Sequence, residues 1–385
     1  MLMFPHPAFR PPLLLTPVLA GALALSLVAC GDGGPSPGCD PGDLDCSVFS
    51  TPSPTDDATA FERAPGCAVY GTPRQTGRLP TGLVEASGLV RSAWDPGRLW
   101  VHNDSNNPAE LFAIATDGTL LARIDMPVGN RDWEDIARGP CDENDAQGRC
   151  IYLGEIGDNN ATHPWIEVYR FREPQSLDGV TSLSRSQIEI MRVRYPDGPR
   201  DAEAMWVDTR QNVWIASKEP GGLTRLYTIP FRATVPEQIR VLTFVDQFLL
   251  RDVLSEEDAR TQRVTAADFE AETGRVIFRT RDFAFEFALA GRPLTRLFNA
   301  PVRTVPAADE PQGEAIAWGP NGGYYHTSEG PEARPLLRAL RRGSHALSTR
   351  CSPLRSAARP SGCSAQPAGD PVVGTRCSTR RPEAP

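Results

Sequence analysis

Between residues 67 and 342 the chain alternates apolar and polar residues in short runs that turn residues separate. The runs are rich in β-branched and aromatic side chains, and a period of two with this composition predicts β-strands. Only SEEDARTQR, residues 255–263, indicates a helical turn. We therefore predict an all-β domain over residues 67–342.

This region repeats one local plan five times. Each repeat has an anchor residue two positions before an apolar residue, and the anchors are Ser87, Glu134, Glu203, Ala267 and Glu314. A second strand-like run follows each anchor and a third follows the second. In the first four repeats there is also a fourth run, at residues 119–127, 187–196, 239–246 and 293–301. Four strands per repeat at this spacing predict a β-propeller.

The fifth repeat lacks a fourth run, whereas residues 67–79 form a strand-like segment that belongs to no repeat. A propeller must remove its open sheet edges, so we predict that this segment closes the ring as the fourth strand of the last blade. The prediction is five blades. A sixth blade, between residues 134 and 203 or between 203 and 267, is the alternative.

The charge balance argues against one class of partner, nucleic acid. The 40 Lys and Arg residues are outnumbered by 48 Asp and Glu residues, giving a net charge of −8. This argues against binding to a nucleic-acid backbone, which needs a basic face. We expect a monomer.

The N-terminal sequence predicts where in the cell the protein is located. An apolar run of about 17 residues from Leu13 to Ala29 has the length of a secretory signal and precedes Cys30. The residues Leu27-Val28-Ala29-Cys30 resemble the lipobox of bacterial lipoproteins, in which the cysteine is acylated after cleavage. The resemblance implies a signal peptide at 1–29 and a protein anchored by lipid at Cys30 in the bacterial cell envelope, outside the cytoplasm. An ordinary signal peptide with a chance cysteine is the alternative.

Flanking segments and cysteines agree with that location. Residues 30–66 have the composition of a disordered tether, and residues 343–385 that of a disordered tail. Of nine cysteines, eight remain besides Cys30, which suggests disulfides in an oxidising compartment. Cys141 and Cys150 bracket a polar loop and are predicted to pair.

The propeller topology gathers candidate chemistry at one mouth of the central channel. Innermost strands begin at this mouth, and the antiparallel second strands return to it. The residues expected there after the second strands are Asp104, Glu155, Asp158, Lys218, Asp282 and Glu329. Three ionised carboxylates at Glu134, Glu203 and Glu314 would repel one another near the axis, so we expect a cation. A hard, oxygen-liganded ion is favoured, namely calcium. The alternative is that each acid ties its blade to a neighbour through backbone N–H groups.

At this point the sequence resembles a known family, the soluble calcium-activated nucleotidases (apyrases). These are five-bladed propellers with a calcium ion on the axis, and their blade starts carry Ser, Glu, Glu, Ser and Glu. The resemblance implies metal ligation by Ser87, Glu134, Glu203 and Glu314, with Ala267 departing from the pattern and offering only a carbonyl oxygen. It also implies an acidic role for Asp104. The chain shows no match to the family's nucleotide-contacting basic residues. The motifs DWEDIA, GDNNA and QGEAIAW also resemble a family of secreted bacterial proteins without a settled function.

Two hypotheses on function follow. The first is a metal-dependent hydrolase of a phosphate or ester, with Asp104, Glu155 or Glu329 as general base. A small anionic ligand would then meet Lys218, near Asp158 and Asp282. The second is a non-enzymatic binding or scaffolding lipoprotein in which calcium is purely structural. For Lys218 the alternative is a salt bridge to Glu219 or to an acid of a neighbouring blade.

Overall fold

The computed structural model describes residues 69–330 and 334–341. The predicted signal peptide, Cys30, the tether and the tail lie outside these residues. Five four-stranded antiparallel sheets form a closed ring, one of them extended by a short extra strand. The all-β, five-bladed propeller is confirmed.

The strands follow the chain blade by blade. Blade one comprises β2 (Ala86–Arg91), β3 (Arg98–Asn103), β4 (Glu110–Ala115) and β5 (Leu120–Asp125). Blade two comprises β6 (Trp133–Gly139), β7 (Cys150–Glu155), β8 (Ile166–Arg172) and β9 (Glu189–Arg194). Blade three comprises β10 (Ala202–Val207), β11 (Asn212–Ser217), β12 (Leu223–Pro230) and β14 (Thr243–Leu249). Blade four comprises β15 (Val264–Glu270), β16 (Arg275–Thr280), β17 (Ala284–Ala288) and β18 (Val302–Val305). Blade five comprises β19 (Gly313–Trp318), β20 (Tyr324–Ser328), β21 (Pro335–Ala339) and β1 (Arg74–Arg78).

Ring closure occurs as predicted. Strand β1 pairs antiparallel with β21 and so completes the last blade with a strand from the beginning of the domain. The innermost strands β19 and β2 then pack side by side, as the other neighbouring innermost strands do. Every innermost strand therefore packs between two other innermost strands.

Two predicted outer strands differ from the structure. The run at residues 239–246 divides between two blades, because β13 (Arg240–Val241) pairs parallel with β9 of blade two before β14 returns to blade three. In the run at 293–301, Leu294–Asn299 forms a 3-10 helix whose Leu294 and Leu297 are buried, and the outer strand is β18 instead. Apolar side chains of a short helix and of a strand produce similar local patterns, which is why composition misassigned this run.

Helices are few in the described chain. The helical turn predicted near residue 255 is helix α1 (Glu256–Thr261), whose N-cap Ser255 accepts a hydrogen bond from the Asp258 backbone N–H. The remaining 3-10 helices are Arg185–Gln187, Pro220–Gly222, Leu250–Asp252 and Pro320–Gly322. No helix among these residues is long and apolar enough to cross a membrane.

The core consists of five apolar clusters, one at each junction between neighbouring blades. Trp100, Trp133 and Trp206 are wholly buried in these junctions. Burying each large apolar side chain stabilises the fold by roughly 1.5–3 kcal/mol, so packing between blades fixes the ring. The predicted disulfide between Cys141 and Cys150 is present and closes the loop between β6 and β7.

Candidate functional site

Each innermost strand is irregular close to its first residue. The pairing with the second strand shifts register there, which is the signature of a β-bulge, and a bulge re-aims the side chain it carries. The bulges lie at Ser87 with Gly88, at Glu134, at Glu203, at Thr265 and at Glu314. Four of the five predicted anchors therefore occupy equivalent places at one mouth of the channel.

In blade four the bulge carries Thr265, not the predicted anchor Ala267. The Thr265 hydroxyl donates to the carbonyl of Glu314 in the next blade at 3.2 Å, as the Ser87 hydroxyl donates to the carbonyl of Glu134 at 2.5 Å. Ala267 lies two residues deeper, where its N–H donates to Asp135. A displacement of two residues preserves the alternation of a strand, so the hydrophobic pattern alone could not place this anchor.

A second row of residues lies beside the bulges. The backbone N–H of Lys218 donates to the carbonyl of Asp201, and that of Glu329 donates to the carbonyl of Gln312, at 3.0 Å in both cases. Each of these carbonyls lies two residues before the bulge of the same blade. Asp104 makes the same bond in blade one. The antiparallel return of the second strand thus brings these three side chains to the mouth.

Three carboxyl groups form the tightest acidic group at the mouth. Asp104, Asp132 and Glu134 each offer one oxygen, and these oxygens all lie within 4.8 Å of one another. Burial raises the pKa of Asp104 to about 6 and that of Glu134 well above its ordinary value. The negative charges of the neighbouring acids add to the effect of burial on Glu134. Such a group favours a bound cation or retained protons.

Backbone forms one wall of this group. A Cβ atom placed on Gly157 would lie 2.3 Å from Glu134 Oε1 and 2.5 Å from Asp132 Oδ2. A side chain at this position would displace the two carboxylate ends, so glycine lets the main chain lie directly against them. All the donors are hard oxygen atoms, which are the ligands that calcium prefers.

Lys218 places a positive charge among the carboxyl groups of the mouth. Its ammonium group contacts Glu203 of the same blade. Its charge lowers the pKa values of Asp104, Glu134, Asp201, Glu314 and Glu329, each of which burial raises. Glu219 pairs instead with Arg200 and Arg225, so the predicted alternative partner of Lys218 is occupied elsewhere.

Glu314 and Glu329 form a second acidic pair on blade five. Burial, followed by the charge of Glu329, raises the pKa of Glu314 to about 8. Burial, followed by the charge of Asp104, raises the pKa of Glu329 to about 7. Gln312 donates a hydrogen bond to Glu329. The pair holds a proton near neutral pH.

Three predicted site residues are engaged in local structure. Glu155 accepts backbone N–H groups from Arg131 at 3.1 Å and Asp132 at 2.7 Å. Asp158 accepts the N–H groups of Thr162 and His163, closing its own loop. Asp282 accepts a hydrogen bond from Gln262 next to helix α1. Their carboxylates support the loops around the mouth.

Sequence reasoning missed Asp132 and Asp201 as mouth residues. Both stand two positions before a bulge glutamate, and Asp201 accepts the N–H of Asp158 at 2.9 Å. The position two residues before the bulge is polar in every repeat, with Glu85, Asp132, Asp201, Arg263 and Gln312. That recurrence was the available signal.

The group that could hold a metal is therefore Asp104, Asp132 and Glu134, with Ser87 beside them. The Ser87 hydroxyl lies 3.3 Å from Glu134 Oε2. Of the three predicted axial glutamates, only Glu134 belongs to this group, while Glu203 faces Lys218 and Glu314 faces Glu329.

Comparison with known proteins identifies no family for this chain. No protein-family model and no curated protein matches the sequence. Among solved structures, the PQQ-bound aldose sugar dehydrogenase from Streptomyces coelicolor is 11% identical with a TM-score of 0.40, covering 70% of this chain and 98% of its own. The soluble aldose sugar dehydrogenase from Escherichia coli in the apo form is 12% identical with a TM-score of 0.38, covering 70% of this chain and 99% of its own. Similarity this low supports no transfer of function.

Proposed function

We propose that the protein is a lipid-anchored, extracytoplasmic β-propeller that binds calcium and a small anionic ligand at one mouth of its channel. The observation that carries the proposal is the group of Asp104, Asp132 and Glu134, whose carboxylate oxygens lie within 4.8 Å of one another. A divalent cation there would neutralise charges that burial otherwise destabilises.

The donor set fits calcium. Three carboxylates supply hard oxygen ligands, and the main chain at Gly157 lies directly against two of them. Backbone carbonyls and water can complete the shell of six to eight oxygens that calcium takes. When bound, the ion would polarise a ligand oxygen or activate water.

The anionic ligand is inferred from Lys218. An ammonium group is a compact point charge that binds phosphate or carboxylate without requiring a planar geometry. Lys218 lies near the acidic group, as its effect on the pKa values of Asp104 and Glu134 indicates. A ligand bound between the ion and Lys218 would have its negative charge matched on both sides.

Hydrolysis of a phosphate or ester is the reaction that we propose for this site. With Asp104 on the ion and Glu155 bonded to backbone, Glu329 is the remaining predicted base. Its pKa of about 7 suits proton exchange at neutral pH. With Thr265 at the fourth bulge, the series Ser87, Glu134, Glu203, Thr265 and Glu314 comes closer to the nucleotidase pattern of Ser, Glu, Glu, Ser and Glu. Nucleoside diphosphates are therefore the first substrates to test.

A second candidate rests on the ion pair between Lys218 and Glu203. Because a lysine already supplies positive charge among these carboxyl groups, the ion could be purely structural in a binding or scaffolding lipoprotein. Saturable ligand binding without turnover would favour this candidate.

The envelope location rests on the lipobox-like sequence before Cys30. The disulfide between Cys141 and Cys150 supports it, since disulfides persist in oxidising compartments.

Calcium binding is tested by thermal and urea unfolding of the mature protein with chelator and with added calcium. Calcium at a hundredfold excess over its Kd is expected to stabilise the fold by about 3 kcal/mol. Glu134→Gln and Asp132→Asn should abolish that gain, whereas Glu329→Gln should retain it. A wild type that is insensitive to chelator and contains no metal by elemental analysis would refute the calcium site.

Turnover is tested with nucleoside diphosphates and model esters in the same calcium-loaded samples. Glu329→Gln should retain calcium stabilisation and lose most of the turnover, whereas Lys218→Ala should weaken substrate binding. Calcium-stabilised protein without turnover of any of these substrates would overturn the hydrolase and leave the non-enzymatic candidate.

A further inference from the structure

A separate cavity of about 460 Å³ lies at the opposite end of the channel. Residues at the C-terminal ends of all five innermost strands line it, whereas the bulges lie at the N-terminal ends of the same strands. Between the two lies Asp135, whose carboxylate accepts N–H groups from Met205 at 2.8 Å and Ala267 at 3.2 Å. This bridge across β6, β10 and β15 separates the cavity from the proposed calcium site.

Two arginines from neighbouring blades face this cavity, Arg91 at the end of β2 and Arg138 near the end of β6. Among the described residues neither guanidinium forms an ion pair, and the hydrogen bond of Arg138 goes to the carbonyl of Ser92 at 3.4 Å. Burial, followed by the charge of Arg91, lowers the pKa of Arg138. Two like charges held together in a half-buried place are unfavourable unless an anion joins them.

Two carboxylates at the cavity already accept several hydrogen bonds. Asp208 accepts hydrogen bonds from the N–H groups of Arg210 and Asn212 and from the side chains of Asn212 and Trp214. Asp268 accepts the backbone N–H groups of Phe269 at 2.8 Å and Trp318 at 2.7 Å. The charge of Asp268 acts on both arginines across space and raises the pKa of Arg138, but no hydrogen bond or ion pair joins it to either guanidinium among the described residues.

Glu270 and Glu272 are the other acids that line the cavity. Glu270 pairs with Arg275 at 3.4 Å. Glu272 is exposed, and its charge raises the pKa of Arg138 without forming an ion pair. Solvent screens an exposed carboxylate, so Glu272 offsets only part of the positive charge.

We propose that this cavity is a second binding site, in which Arg91 and Arg138 hold the carboxylate or phosphate group of a small molecule. Guanidinium groups match both anions through paired N–H···O bonds. Val90 and Val207 give the cavity apolar wall, which accommodates the uncharged part of an organic acid. The site is independent of calcium, because it lies beyond Asp135 and contains no part of the acidic group.

Calorimetric titration of the full chain with inorganic phosphate and, separately, with benzoate tests the proposal. Saturable binding of at least one probe is expected, and the stronger probe identifies whether phosphate or carboxylate is the ligand group. Binding should persist in chelator and in Lys218→Ala. It should weaken at least tenfold in Arg91→Gln and in Arg138→Gln.

Arg263→Gln is the matched control, because Arg263 is exposed and forms no ion pair among the described residues. Its affinity for the probe should equal that of the wild type. Absence of saturable binding of both probes would overturn the proposal. An equal loss of affinity in Arg263→Gln would also overturn it. The same holds if Arg91→Gln and Arg138→Gln keep both the melting temperature and the affinity of the wild type.

Discussion

Asp135 joins three blades inside the channel, and its removal should be among the most damaging single changes in the protein. The carboxylate is wholly buried. It accepts the N–H of Ile136 in its own strand at 2.8 Å, in addition to the N–H groups of Met205 in blade three and Ala267 in blade four. Asp135→Ala would leave the two N–H groups of the other blades without a partner inside the channel.

The magnitude follows from these two donors. A buried N–H that loses its partner costs about 1–3 kcal/mol, so the variant should lose about 2–6 kcal/mol of unfolding free energy. That is a large part of the roughly 5–15 kcal/mol of a typical domain. Asp135→Asn, which keeps one acceptor oxygen, should lose less than Asp135→Ala.

The loss should depend on pH. Burial raises the pKa of Asp135 well above its ordinary value, despite the three N–H donors that lower it. A raised pKa means that the folded state binds the proton more tightly than the unfolded state does. This contribution is complete below the unfolded pKa of 3.8 and is lost as pH rises toward the folded pKa. Alanine removes the buried charge, so the loss should be larger at pH 5 than at pH 8.

Urea unfolding followed by tryptophan fluorescence measures this difference. For a domain of this size the expected loss moves the midpoint by on the order of 1 M. Asp117→Ala is the control, since Asp117 is exposed and bonds to the backbone and side chain of Thr119 within one turn; it should leave the midpoint unchanged. An Asp135→Ala midpoint equal to that of the wild type at pH 5 would refute the role of this bridge.

Three further outcomes are expected. Cys30→Ala should release the protein from membranes or block its processing, and mature protein that stays membrane-bound in fractionation would contradict the lipid anchor. The raised pKa values of Glu314, about 8, and Glu329, about 7, mean that the folded protein loses stability as these groups ionise. The melting temperature of metal-free protein should therefore fall as pH rises from about 4.5 to 8. Glu314→Gln should flatten that fall, and an unchanged slope would argue against the coupled pair. Replacing Cys141 and Cys150 by serine should cost about 2–3 kcal/mol in urea unfolding, because the sequence separation is only 9 residues; a variant as stable as the wild type would show that the disulfide does not constrain the unfolded chain.

The alternation of strands was sufficient to predict the architecture of the domain. A strand that presents one face to each of two blade junctions has a regular pattern of apolar side chains. Since the last repeat lacks a fourth run, residues 67–79 had to supply its fourth strand, β1. The pairing of Cys141 with Cys150 was also predictable, since the two residues bracket one short loop. These features depend on residues that are close in sequence or that repeat at a regular interval.

The tertiary structure decided the composition of the site. Thr265 replaces Ala267 at the fourth bulge, because a shift of two residues leaves the strand pattern unchanged and only the pairing with β16 distinguishes the two. Lys218 contacts Glu203 and not Glu219, since adjacent residues of an extended chain point to opposite sides. The two arginines of the second cavity come together only because Arg91 and Arg138 lie at or near the ends of neighbouring innermost strands. Contacts of this kind depend on how the blades pack around the axis, and no local pattern of residues encodes them.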